Sequence, residues 1–280
     1  MKPIVADPGL IRFWPQSKWR HTDFELFSWE YFPSILIFDF ADYKIQDDFL
    51  KRLAFFVEKS GYVGTLMTDE EIANQHGYNA HDYKAESLAS FFDTAQKQNF
   101  QLNQSELLLR HILLENGIIK SEGNKILPGN GAIISLSKQS ANYLRNSFLC
   151  HEGMHGVFFI DEDYRIYINE LFNSTDKNSV EFLKAYFTAT PTLNYDINDD
   201  YLLKNEFMGY LVQQGVSFTS NYFANNLATR KGVNEKFPEL CRYIKKTNAQ
   251  GFVEAAMSLD EYLYNRWGMQ TGREWTVYIN

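Results

Sequence analysis

The chain has 280 residues, 45% of them apolar and 16% aromatic, enough to bury a sizeable core as one large domain or two tightly associated ones, which excludes a disordered segment. Its formal charge of -8, with 27 basic residues scattered rather than clustered, argues against a surface built to neutralise nucleic-acid phosphates. No run approaches the ~18 apolar residues that span a bilayer, and the start MKPIVADPGL lacks the basic-then-apolar order of a signal peptide, so a soluble chain with no membrane span is expected.

A leader removed during processing would leave no trace, so export and compartment stay open. Cys150 and Cys241 are too few for a disulfide framework or a cysteine zinc site, and their separation in sequence leaves a single bridge undecided.

Along the chain there is no internal repeat, low-complexity run or Pro/Ser linker. SILIFDF (34–40) has the composition of a buried strand. After it, QDDFLKRLAFFVEK places Phe49, Leu50, Leu53, Phe56 and Val57 at helical spacing. GYVGTLM (61–67) is read as a further strand, and Thr68 with Glu71 as a capping box. HGYNAHDY sets His76, His81 and Asp82 directly before KAESLASFF. A first-turn acid suits a helix N-terminus, so capping is expected there, with a second metal site or a polar cleft wall as the alternative. Asn103 ahead of ELLLRHILLENG, with Gly117 as the stop, marks another helix. GAIISLS (131–137) reads as a strand, and Ser137 as the cap of a long helix, KQSANYLRNSFLCHEGMHGVFF. Beyond it the pattern is helical. DDYLLKNEFMGYLVQQG ends on Gly215, Pro238 stands near a helix start, and Ser258 with Glu261 forms a third capping box. The fold class expected is α+β, with strands confined to the first half and no clean domain boundary.

Inside the long helix lies HEGMH: His151, Glu152, two spacers, His155. At about 100° per residue the two histidines differ by roughly 40° around the axis, so both imidazoles project from one face, one turn apart. Glu152 lies between that face and its flank, where its carboxylate can reach a water on a metal without ligating the metal itself. Cys150, about 100° away from His151, is badly placed as a ligand. The competing reading is two histidines that share a helix face and pair with their neighbours.

The segment resembles the active-site helix of the zincin metallopeptidases, defined by His-Glu-x-x-His. The resemblance covers this helix and the strand before it. It implies that GAIISLS is an edge strand forming the upper rim of a cleft, that zinc is the cofactor, and that Glu152 is the general base. It also divides the chain into a mixed α/β region, 1–130, and a zincin-like catalytic region, 131–280, packed as one globular unit. Zincins differ in their third ligand, and two candidates stand here. Asn205-Glu206 in LLKNEFMGYL is similar to the gluzincin pattern, in which an Asn-Glu pair on a second helix supplies the glutamate. Its apolar neighbours Leu202, Leu203, Phe207 and Met208 would bury that carboxylate, which then needs a cation. The chain departs from thermolysin-like members in having Tyr210 where an acid holds a ligand histidine, so that support must come from elsewhere.

Asp161, six residues past His155, is similar to the metzincin spacing, but Phe158 stands where that pattern needs a glycine to turn the chain back. Asp161 is therefore expected to end the helix, with Glu170 and Glu181 as weaker spares. In the tail DEYLYNRWGMQTGREWTVYI, core packing is expected of the aromatic residues, although Tyr262, Tyr264, Arg266 or Arg273 would also serve as an oxyanion donor.

The resemblance thus implies a zinc-dependent hydrolase, a metallopeptidase acting on a peptide or protein, with His151, His155 and Glu206 as ligands and Glu152 as base. A zinc amidase on a non-peptide or cell-wall substrate, or a catalytically silent zinc-containing binding domain, are the alternatives. Oligomeric state is not legible.

Overall fold

The computed structural model describes residues 1–193 and 195–273. The chain divides into two compact units, 1–160 and 161–280. The strand and helix that follow residue 130 pair and pack with other elements of the first unit.

The first unit contains β1 (Ile4–Ala6), α1 (Pro8–Phe13), β2 (Phe24–Trp29), β3 (Ile35–Phe40), α2 (Tyr43–Val57), α3 (Asp69–Ile72), β4 (His81–Lys84), α4 (Ala85–Lys97), α5 (Gln104–Glu115), β5 (Ile119–Glu122), β6 (Lys125–Pro128), β7 (Ala132–Ser137) and α6 (Asn142–Ile160). Strands β1-β2-β3-β7-β4 form one mixed sheet in that order, and β5 and β6 a small hairpin. β3 runs antiparallel to β2 and parallel to β7, and β4 runs antiparallel to β7. All six residues of β2, β3 and β7 are buried, which is why SILIFDF and GAIISLS read as continuous apolar runs instead of alternating ones. β7 is an interior strand, not the expected edge; the edge beside it is β4.

Strand alternation sorts the side chains onto two faces. Phe24, Leu26, Leu36, Phe38, Phe40, Tyr83 and Ile133 form a core with α2, α4 and α5. On the other face Ile35 and Asp39 meet α6: a Cβ on Gly156 would lie 3.0–3.1 Å from Ile35 side-chain atoms, tighter than ordinary contact, so a larger residue there would require the Ile35 side chain to shift by a few tenths of an ångström.

α2 is capped by Asp42, which accepts from the Ile45 N–H at 2.8 Å. The capping boxes at Thr68 and Asn103 are present, and Gly117 at φ +72° stops α5. Residues 61–67 are turn and coil, not a strand: Gly61 and Gly64 take φ +86° and +77°, which an extended strand cannot include. Ser137 does not cap α6. Its hydroxyl accepts from the Gln139 N–H at 3.2 Å within a tight turn, and the helix starts at Asn142.

The second unit contains α7 (Glu162–Ser174), α8 (Lys177–Ala189), α9 (Asp200–Val212), α10 (Val216–Ser220), a π-helical turn over Asn221–Asn226, α11 (Lys231–Lys236), α12 (Pro238–Lys246) and α13 (Gln250–Trp267). Among the described residues the last strand ends at Ser137, as the α+β expectation requires. α9 stops at Val212, and Gly215 opens α10 instead of closing α9. Pro238 is at the first turn of α12. The Ser258–Glu261 capping box is absent: α13 runs straight through both residues, and the Ser258 hydroxyl is bonded to that of Tyr167 at 2.9 Å. Among the described residues no helix is long and apolar enough to cross a membrane.

Candidate metal centre

α6 carries the His-Glu-x-x-His motif, and its position on the sheet is fixed by charge as well as packing. Arg145 donates both guanidinium arms to Asp39 of β3, at 2.7 and 3.0 Å, and Lys138 reaches the same carboxylate at 2.9 Å. Asp39 has no solvent exposure, so this bidentate pair is desolvated and geometrically specific. Arg12 of α1 adds a 2.8 Å hydrogen bond to Asn146. From Leu149 to Phe158 every residue except His151 is buried. A helix apolar nearly all round suits this setting, and its polar members need partners.

The helical geometry brings the two histidines together as their spacing predicts, with ring centroids 4.6 Å apart and planes at 82°. His151 is half-buried and His155 is 1% exposed. Glu152, 8% exposed, lies beside His155, and Asp82 of β4 joins them. One oxygen from each carboxylate and one His155 ring nitrogen all lie within 4.8 Å of one another. Two carboxylates this close repel when both are charged, and a bound proton or cation relieves that repulsion. The donor set, imidazole nitrogen and carboxylate oxygen in a largely buried position, fits a divalent transition metal. This His/Glu group can hold a metal ion.

Asp82 does not cap a helix, contrary to the expectation for HGYNAHDY. His81–Lys84 is a strand, and the residue before α4 is Lys84, which makes no side-chain cap. Because β4 pairs with β7 in the register Asp82↔Ile134, His81 and Tyr83 point towards α2 and α4, while Asp82 points towards α6. The His81 ring is bonded to Ser135 at 2.9 Å and lies 3.3 Å from the Gln46 side-chain nitrogen, and burial pushes its pKa down to about 3. It is a neutral core histidine on the far face of the sheet from α6.

In the second unit, Glu206 sits on α9 in a stretch, Asn205 to Val212, whose residues are all buried; Glu206 itself is 5% exposed. Tyr210, one turn on, is also buried, and burial raises its phenol pKa well above the ordinary value, so it is a neutral hydroxyl. Asp161 is fully engaged in its own unit: it caps α7 by accepting from the Tyr164 N–H at 2.8 Å and pairs with Arg266 at 3.0 Å. Its helix-terminus role is the one observed. Glu170 and Glu181 are exposed, and Glu181 pairs with Lys184.

Of the tail, Tyr262 stacks on Tyr167 at 3.9 Å, and Arg266 packs over the Trp267 ring at 5.3 Å. Tyr264 is 40% exposed, Arg273 forms an isolated bridge with Gln270, and 274–279 lie outside the described residues. Cys150 and Cys241 are both free and buried.

Compared with known protein families, curated proteins and solved structures, the chain matches none.

Proposed function

We propose that this protein is a zinc-dependent hydrolase, most specifically a metallopeptidase acting on peptide or protein substrates. The observation that carries the proposal is the motif helix itself: two adjacent imidazoles one turn apart, with a buried glutamate alongside. His151 and His155 would hold the metal, with Glu206 as the third ligand on its resemblance to the gluzincin Asn-Glu pair. When bound, zinc supplies Lewis acidity and lowers the pKa of water towards ~7. Glu152 takes the proton released as water attacks the scissile carbonyl and delivers it to the leaving amine nitrogen, which would otherwise depart as an unstable anion. The burial of Glu152 keeps bulk water from competing for that proton.

Glu152→Gln tests the assignment. The amide preserves size and most hydrogen bonding but cannot accept the proton at ordinary pH. Zinc content should be retained while cleavage of a peptide library falls by at least ~10²–10⁴-fold. An unchanged rate with zinc in place rules out Glu152 as the base. Wild-type protein that binds zinc and cleaves no peptide or amide supports the silent-domain alternative instead.

A further inference from the structure

We propose that the cleft lined by the end of α1 and the start of α6 is a separate binding site, one that takes a small phosphate monoester carrying an apolar or aromatic group. The proposal does not depend on the metal-binding reading. The cleft, about 310 Å³, is lined chiefly by Arg12, Phe13, Trp14, Lys138, Asn142 and Arg145 and falls in the ~300–1,000 Å³ range of small-molecule sites. Among the described residues every charged one lining it is a cation, in a chain whose formal charge is -8, and no lining residue belongs to the metal cluster.

Charge and hydrogen bonding both leave this cleft short of acceptors. Among the described residues Asp39 is the only carboxylate paired with any of the three cations: it takes both arms of Arg145, at 2.7 and 3.0 Å, and Lys138 at 2.9 Å. Three positive charges therefore meet one negative, an excess of two. Burial pushes the Lys138 pKa below its ordinary value although Asp39 opposes the shift, so a further anion would stabilise the ammonium. Arg12 has no carboxylate partner. Its Nη1 donates to the neutral Asn146 side chain at 2.8 Å, its guanidinium lies 4.9 Å from the Phe13 ring centroid, and its buried Nε–H has no acceptor among the described residues. The buried indole N–H of Trp14 has none either. Buried donors without acceptors are costly and rare, so two of them on residues of one cationic cleft point to an acceptor brought by a ligand.

A phosphate monoester carries close to two negative charges at neutral pH and three acceptor oxygens, which suits an excess of two charges and two unsatisfied donors, whereas a carboxylate brings one charge. The planar fork of Arg12 and the positive end of the α6 dipole at Asn142 favour the same group. Phe13, 69% exposed, offers apolar surface to the organic part of the ligand.

The test is calorimetric titration of the full chain with phenyl phosphate and with benzoate, before and after treatment with a metal chelator. Wild type is compared with Arg12→Gln, Trp14→Phe and a control, Lys120→Gln, an exposed lysine outside the cleft. Wild type and control should bind phenyl phosphate equally, more tightly than benzoate, and alike with and without metal. Arg12→Gln should bind it ~10–100-fold more weakly, as for loss of a charge-assisted hydrogen bond, and Trp14→Phe about 2–10-fold more weakly. Thermal unfolding without ligand checks that each variant is folded. If Arg12→Gln unfolds early, Trp14→Phe decides in its place, and wild-type affinity in that variant overturns the proposal. No binding by wild type, binding no tighter than that of benzoate, or equal binding by wild type and a folded Arg12→Gln overturns it as well. Binding that disappears with the metal does the same, because the phosphate would then sit on the metal and not in this cleft.

Discussion

Replacing Arg145 with Met should destabilise the protein by about 3 kcal/mol, chiefly through loss of charge pairing. Asp39 is wholly buried and Arg145 is 2% exposed, so the carboxylate depends on protein partners for its solvation. Breaking a buried pair by removing one member costs ~3–5 kcal/mol, because the remaining charge is left uncompensated. Lys138, at 2.9 Å from the same carboxylate and 19% exposed, stays in place, which puts the expected loss at the low end of that range. Met keeps the apolar stem of the arginine but is three heavy atoms shorter, so the space left by the guanidinium adds to the loss. Urea unfolding of the metal-free chain, followed by near-ultraviolet circular dichroism, should show a lower midpoint at unchanged slope. The double substitution Asp39→Asn with Arg145→Met should cost less than the two singles summed, by about 2 kcal/mol or more. A loss below about 1 kcal/mol for Arg145→Met, or additivity in the double variant, would refute the view that this pair anchors the motif helix to the sheet.

Acid should weaken the fold through His81. Its folded pKa is about 3 because of burial, while the unfolded chain protonates near ~6.5, so this contribution is full above ~6.5 and is lost as pH falls towards 3, by up to ~1.4 kcal/mol per pH unit. His81→Gln should flatten the stability–pH curve over that window, and a curve parallel to wild type would show that the buried imidazole is not the source. For the third ligand, Glu206→Ala should strip or greatly weaken zinc while Asp161→Ala leaves affinity nearly intact, read by metal analysis after dialysis. The reverse pattern would move the site to the metzincin arrangement.

Helices whose signals were local and mutually consistent were legible in the sequence. Asn103 and Gly117 bracketed α5, and the spacing of Phe49, Leu50 and Leu53 marked α2, because cap chemistry and apolar periodicity act within a few residues. β3 and β7 showed as apolar runs because both their faces are covered. The same local logic failed where a pattern had a rival use. Ser258 and Glu261 have capping-box spacing but sit mid-helix, where the hydroxyl finds Tyr167 instead. Gly61 and Gly64 turned an apolar stretch into successive turns.

The most consequential miss was Asp82. A four-residue strand is too short for alternation to speak clearly, and an acid just before a helical run mimics a cap. Only pairing with a strand some fifty residues later turns that carboxylate towards His155. The paired imidazoles needed no tertiary information, because helix geometry alone places i and i+4 together.

The most direct test of the account is the metal content of the full chain, purified without chelator and then titrated with zinc, measured by mass spectrometry beside His155→Ala. The account predicts close to one tightly held zinc per wild-type chain and its loss in the variant. A wild-type chain that remains metal-free, or a His155→Ala chain that holds zinc equally well, would contradict it.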